Sequence, residues 1–245
     1  MKTPYLVVTV IALIFGFASC KEEMKPSPSG NVITGKLENI TGTEKILLQK
    51  LSSREIKTID TIFVDMEGNF ELAPDIDKLG FYRIFVSNNN FFNFITEPAE
   101  TLKVTADVSD LEGSYMMTGS EESDKLQEFN NLMNGFVGQM DSLQMEMKNA
   151  QAGQDMQKAQ QVYSAQMILN EEAMGKSKAF VNENPDKLAS LSAIQRFDPE
   201  KELELYEMVL KGLKDKIGDS ELYMEFYNRV EVAKQLMPGS VFPDM

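Results

Sequence analysis

Histidine is absent from this sequence, and with it go the commonest general base, the commonest metal ligand and every Ser-His or Cys-His nucleophilic pair. Hydrolases of the familiar kinds are excluded on that ground. The single cysteine, Cys20, rules out an intramolecular disulfide, a redox Cys-x-x-Cys and a thiolate zinc site. Tryptophan is missing as well, which weakens a carbohydrate-stacking reading, although Tyr and Phe also stack. Cations are scarce: 24 Lys plus Arg face 38 Asp plus Glu, for a net charge of -14. Phosphate backbones repel such a chain, so nucleic acid is excluded as a partner. Anionic membrane surfaces attract basic patches, so membrane attachment of this acidic chain has to come through a lipid.

What is present is ordinary globular material. With 42% hydrophobic and 25% charged residues over 245 positions, the chain can build one large or two small domains. Lys2 opens it with a positive charge, Tyr5 to Phe17 is apolar apart from Thr9 and Gly16, and Phe17-Ala18-Ser19-Cys20 ends the run with small residues before the cysteine. That is the layout of a bacterial lipoprotein signal. The apolar run, about 13 residues, falls short of the ~20 that a helix needs to cross a hydrocarbon core. Residues 1–19 are therefore expected to be removed, and Cys20 to become the lipidated N-terminus, where two or more acyl chains give a stable membrane anchor. Lys21-Glu22-Glu23 resembles the Lys-(Asp/Glu)-(Asp/Glu) export signal of Bacteroidetes lipoproteins. It points to the outer membrane, on its periplasmic or its surface face. Residues 20–30, ending in Lys25-Pro26-Ser27-Pro28-Ser29-Gly30, have the composition of a flexible tether.

Two structural regions follow, and the expected class is a segregated α+β fold: an antiparallel β-sandwich over 31–119 and an antiparallel helical region over 120–237. Strands are predicted at Asn31 to Leu37, Lys45 to Leu51, Glu55 to Asp65, Asn69 to Leu72, Gly80 to Ser87, Phe91 to Glu97, Leu102 to Ala106 and Ser114 to Thr118. Each is rich in β-branched or aromatic residues and flanked by turn formers. Gly68, in Asp65-Met66-Glu67-Gly68-Asn69, can supply the positive φ of a tight hairpin. Past Ser120 the period lengthens. Leu126, Phe129, Met133, Phe136, Met140, Leu143 and Met147 recur in steps of three and four along one helix, with Ser120 as N-cap and Glu121 and Glu122 at the positive end of its dipole. A second helix from Gln154 to Asn182 is expected to offer Met156, Ala159, Tyr163, Met167, Met174 and Phe180 as its packing face. Asn184-Pro185 ends it, Asp198-Pro199 reads as N-cap and first residue of a third, and Ser220 starts a fourth that turns Tyr223, Phe226, Val230 and Ala233 inward.

Candidate sites are few. Met140, Met145 and Met147 cluster, but methionine on an apolar seam is ordinary core filler rather than a copper ligand. Phe91-Phe92-Asn93-Phe94 near Tyr82 should place two of its aromatics in the core and leave one exposed. Asp60-Thr61-Ile62 and Asp141-Ser142-Leu143 resemble the Asp-(Ser/Thr)-apolar site that Bacteroidetes O-glycosylate, which makes Thr61 and Ser142 candidate acceptors.

Ile33-Thr34-Gly35-Lys36-Leu37, Ile59-Asp60-Thr61 followed by Gly68-Asn69-Phe70, Phe81-Tyr82-Arg83-Ile84 and Thr118-Gly119-Ser120 occur here in order. Together they resemble the domain of unknown function 4369 of Bacteroidetes lipoproteins. In that family the domain precedes a helical spacer and a thioredoxin-like domain of the thiol:disulfide oxidoreductase type. Phe180-Val181-Asn182-Glu183-Asn184-Pro185-Asp186 and Ala189 look like that spacer. Gly239-Ser240-Val241-Phe242-Pro243-Asp244-Met245 is similar to the entry into the thioredoxin-like domain, so 238–245 is expected to be the start of a module missing from this chain. With no Cys-x-x-Cys, the family's catalytic residues carry over to no position, and no catalytic, cofactor or metal residue is assigned. The expectation is a non-catalytic, lipid-anchored envelope module that positions or docks an envelope protein or a second copy. Two alternatives differ in class. The N-terminal part of an envelope oxidoreductase would be marked by an in-frame Cys-x-x-Cys downstream, and an extracytoplasmic ligand-binding lipoprotein by a ligand-dependent melting temperature.

Overall fold

The computed structural model describes residues 30–42 and 44–236. Cys20, Lys21, Glu22 and Glu23, the tether up to residue 29 and the 238–245 segment lie outside them. Eight strands form in chain order: β1 (Val32–Glu38), β2 (Lys45–Leu51), β3 (Ile56–Phe63), β4 (Asn69–Leu72), β5 (Gly80–Ser87), β6 (Asn90–Thr96), β7 (Thr101–Asp107) and, after a helical turn α1 (Leu111–Ser114), β8 (Met116–Thr118). Five helices follow among the described residues: α2 (Glu121–Ala152), α3 (Met156–Glu183), α4 (Ala189–Ile194), α5 (Leu203–Ile217) and α6 (Glu221–Leu236). The fold is α+β with the two kinds of structure segregated along the chain.

Alternation of side chains builds the β half. In β7 Leu102, Val104 and Ala106 are buried while Thr101, Lys103 and Thr105 are exposed. Two four-stranded sheets, ordered β4-β1-β7-β8 and β3-β2-β5-β6, share a core of Ile33, Ile46, Leu48, Tyr82, Ile84, Phe92, Leu102 and Val104 among others. All pairings are antiparallel except one: β1 runs parallel to β7, with Ile33 beside Leu102 and Gly35 beside Val104. The chain leaves the first sheet after β1, builds most of the second, and returns, and such a long crossover is what a parallel neighbour requires. The Ser114 to Thr118 expectation is corrected at its start. Asp110 caps a helical turn by accepting from Gly113 N–H (3.0 Å), and the strand begins only at Met116.

The helical half is anchored at the first turn of α2. Gly119 sits at φ +103, and a Cβ there would collide with the Thr101 carbonyl, so the turn into α2 requires glycine. Ser120 is the N-cap, accepting from Ser123 N–H (3.3 Å), and its hydroxyl donates to the Ile95 carbonyl (3.0 Å). Ser123 Oγ donates to the same carbonyl (2.5 Å) and accepts from Ile95 N–H (2.9 Å). The end of β6 therefore completes its backbone hydrogen bonds on α2. Glu122, 5% exposed, accepts from Leu188 N–H (2.7 Å) and pairs with Lys216 of α5 (3.0 Å), which also reaches Asp186 (3.1 Å). Burial opposes charge on Lys216, but the Glu122 and Asp186 carboxylates outweigh it and raise its pKa. Burial likewise opposes charge on Asp186, and the Lys216 ammonium wins, holding that carboxyl below its ordinary range.

α6 buries Tyr223, Phe226, Val230 and Ala233, as expected, and Ser220 accepts from Tyr223 N–H (3.1 Å). α5 buries Tyr206, Leu210, Leu213 and Ile217, while Leu203 at its start is half-buried. Asp198-Pro199 forms a turn rather than the start of a helix, with Lys201 and Glu202 N–H both returning to the Asp198 carbonyl, and α5 begins at Leu203. The packing face of α3 is corrected in part. Phe180 is buried and Ala159 and Met174 are half-buried, as expected, but Met156, Tyr163 and Met167 face solvent, and Val162, Leu169, Ala173, Ser177 and Val181 are buried in their place. Ser123→Ala removes both side-chain bonds to Ile95 and leaves a buried N–H unpaired, which should lower stability by about 1–3 kcal/mol in urea unfolding.

Candidate functional site

Thr61 and Ser142 lie in regular structure and are not brought together. Thr61 is exposed within β3, a sheet-edge strand, with its N–H held by Asp60 Oδ1 (2.7 Å). Ser142 is exposed in the middle of α2 and donates to the Gly138 carbonyl (3.0 Å). Tyr82, Phe92 and Phe94 are core residues. Phe91, which alternation turns to the outer face of the second sheet, is half-buried rather than exposed, with the Arg83 guanidinium 3.9 Å from its ring centroid. Arg83 Nε donates to Asn93 Oδ1 (2.8 Å), and its other cross-strand neighbour is Gln49. Among the described residues no group of three or more His, Cys, Asp or Glu is placed to hold a metal, and no helix is long and apolar enough to cross a membrane.

Sequence reasoning missed the cleft where the sheets meet the helices. Leu51, Ser52 and Ser53 at the β2–β3 turn and Phe81 of β5 form one wall, Leu191, Ser192, Ile194 and Gln195 of α4 and its end another, and Leu222, Glu225, Phe226 and Arg229 of α6 the third. It encloses about 420 Å³, within the ~300–1,000 Å³ of small-molecule sites. The walls are positioned by the same junction. Phe81 packs on the helical core, Lys78 pairs with Asp219 in the α5–α6 turn, and Arg54 Nε pairs with Glu221 (2.9 Å) and lies 3.8 Å from Glu225. No short segment carries a signal for this site, because its residues come from four separate elements.

Its electrostatics are uneven. Glu225 has Arg54 nearby, whereas Arg229 pairs with no carboxylate among the described residues and lies 5.4 Å from the Tyr206 ring centroid. Tyr206 itself is fully buried, donates to the Phe197 carbonyl (2.9 Å), and has its pKa raised by that burial. Apolar walls, three hydroxyls, one amide and one uncompensated guanidinium suit an amphipathic molecule with a carboxylate at one end. The lining divides into structural and spare residues. Phe226 stacks on Tyr206 at 5.5 Å and is 8% exposed, so Phe226→Ala should cost about 3 kcal/mol, while Arg229→Ala should stay within about 0.5 kcal/mol in the same denaturation.

A second surface is the distal half of α2 and α3. α2 spans 32 residues and α3 28, yet Met133 is the last residue of α2 in the helical core. From Asn134 to Ala152 it continues about 28 Å further at 1.5 Å per residue, packed on α3 through half-buried Phe136, Met140, Leu143 and Met147. Lys158 and Glu146 pair near the tip (2.7 Å), and Asp155 caps α3 by accepting from Lys158 N–H (2.9 Å). We call this projection the arm.

No curated protein matches the chain in a comparison over its sequence. The segment that forms both sheets and runs into the first turns of α2, residues 31–126, matches the family model of a domain of unknown function, DUF4369.

Proposed function

We propose that this chain is a lipid-anchored module of the cell envelope that docks a protein and performs no chemistry of its own. The observation that carries the docking is the arm. Val137, Met145, Met156, Tyr163, Met167 and Ile168 are each more than half exposed there. Between Asn134 and Glu172 the charged residues are Asp141, Glu146, Lys148, Asp155, Lys158, Glu171 and Glu172, a sparse set beside many Gln, Asn and Met. Interface cores are depleted in charge and enriched in Met and aromatics. The anchor is supported by Lys2, the apolar run and Cys20. Cys20→Ser should move the protein from the detergent phase to the aqueous phase on partitioning. Retention of the variant with detergent would refute the anchor. Neither form should reduce insulin disulfides above background, and turnover by the wild type alone would refute the absence of chemistry.

Ligand binding is a second reading, favoured by the cleft at the junction of sheets and helices. If the unpaired Arg229 is its anchor, alkyl or aryl carboxylates should raise the melting temperature of the wild type and leave Arg229→Ala unmoved. An equal shift in both proteins would place the ligand elsewhere.

A further inference from the structure

The arm has two broad faces. With helical side chains about 100° apart, Met156, Tyr163 and Met167 line one face of α3, beside Val137, Asp141, Gln144 and Lys148 of α2. The opposite face is a groove in which Gly135 and Gly138 leave open space beside Ile168. The first face belongs to the apolar stripe that the sequence marks as a packing surface, and among the described residues nothing covers it.

We infer that this stripe pairs with the same stripe of a second copy, through a two-fold axis that crosses the arm at right angles to its helices. The charges carry the assignment. Asp141 and Lys148 lie two turns apart on one face of α2, opposite in sign, and neither makes an ion pair or side-chain hydrogen bond among the described residues. An axis midway between them sets Asp141 against Lys148 of the second copy, twice. The Lys158–Glu146 pair (2.7 Å) sets the level of one helix against the other, and at that level the midpoint of Asp141 and Lys148 lies opposite residues 159 and 160 of α3. Met156 and Tyr163 flank the same level on the α3 stripe. One axis thus brings Asp141 against Lys148 and Met156 against Tyr163 of the second copy, each twice. An isologous interface requires that kind of self-complementarity. Two hairpins stacked this way form a four-helix bundle.

Two helices side by side over about 28 Å offer roughly 600 Å² per copy, below the ~800 Å² per partner of a standard interface. A footprint of that size suits a weak, reversible dimer, and copies held on one membrane by Cys20 lipid meet at high effective concentration. The pairing names the partner of the docking reading and rests on it.

The full chain carrying Cys20→Ser, free of thiol and lipid, should sediment as a monomer–dimer equilibrium between 1 and 500 µM, on the order of the affinity that such an area supports. Lys148→Glu should weaken the dimer at least about tenfold by opposing Asp141 of the second copy, and adding Asp141→Lys should restore it. In the same background, Gln144→Cys near the axis should crosslink with a short bis-maleimide, and Gly138→Cys in the groove should not. A monomer throughout, or crosslinking through Gly138→Cys and not Gln144→Cys, would overturn the pairing. Either result would leave the detergent partitioning of the lipidated protein unchanged, so the anchor is judged separately.

Discussion

The first turn of α2 bears the weight of the architecture. A helix N-terminus has backbone N–H groups to satisfy, and the end of a sheet-edge strand has its own. Here Ser120 and Ser123 place their hydroxyls on both backbone groups of Ile95 while Ser120 also caps the helix. One residue between them, Glu122, carries its carboxylate into the helical half and meets Leu188 N–H and Lys216 there. A buried ion pair of this kind adds little net stability by itself, because desolvation offsets attraction. Its effect is positional: three chain segments, around residues 122, 188 and 216, come together to compensate the Glu122 carboxylate. Gly119 belongs to the same device, since any side chain would hold the strand away from Thr101 and shift the cap.

The rest of the body depends on that placement. Gly212 packs so closely on the Pro185 carbonyl that a Cβ would meet it at 2.5 Å, which seats α5 under the turn that also supplies Asp186. Leu79, Ile95 and Phe81 then extend the helical core onto the second sheet. The cleft is a consequence of this docking. It lies where the β2–β3 turn, α4 and α6 approach without filling the space between them.

Local order in the sequence made much of this legible. β2, β4 and β5 have the bounds that alternation and turn formers indicate, and the root of the α2 seam, Leu126, Phe129 and Met133, is core. The parallel β1–β7 pairing was not legible, because nothing in either strand specifies a neighbour some 70 residues away. Nor was the cleft, assembled from elements far apart in sequence. The α3 face was misread in part, for a physical reason. Periodicity weights the largest apolar residues, so it found Phe180 but passed over Ala173 and Ser177, small residues that the buried face includes. The stripe of Met156, Tyr163 and Met167 is real as a pattern, and no surface among the described residues covers it.

That leftover stripe has to be set against charge. The chain carries -14 overall, and such an excess keeps copies apart over most of their surface. Repulsion of this kind acts least where charges are absent or cancel, as on the stripe of Val137, Gln144, Met156, Tyr163 and Met167, where Asp141 and Lys148 offset one another. The arm is also the part least secured by the core. Gly135 and Gly138, with open space beside them, each weaken the helix by about 1 kcal/mol relative to alanine, and beyond Met133 the two helices have mainly one another to pack on. An element with few buried contacts lies at the low end of local stability, and whatever covers its apolar face gains by ordering it. An acidic chain and a weakly held arm whose apolar stripe carries no net charge therefore act in the same direction: they confine association to one surface.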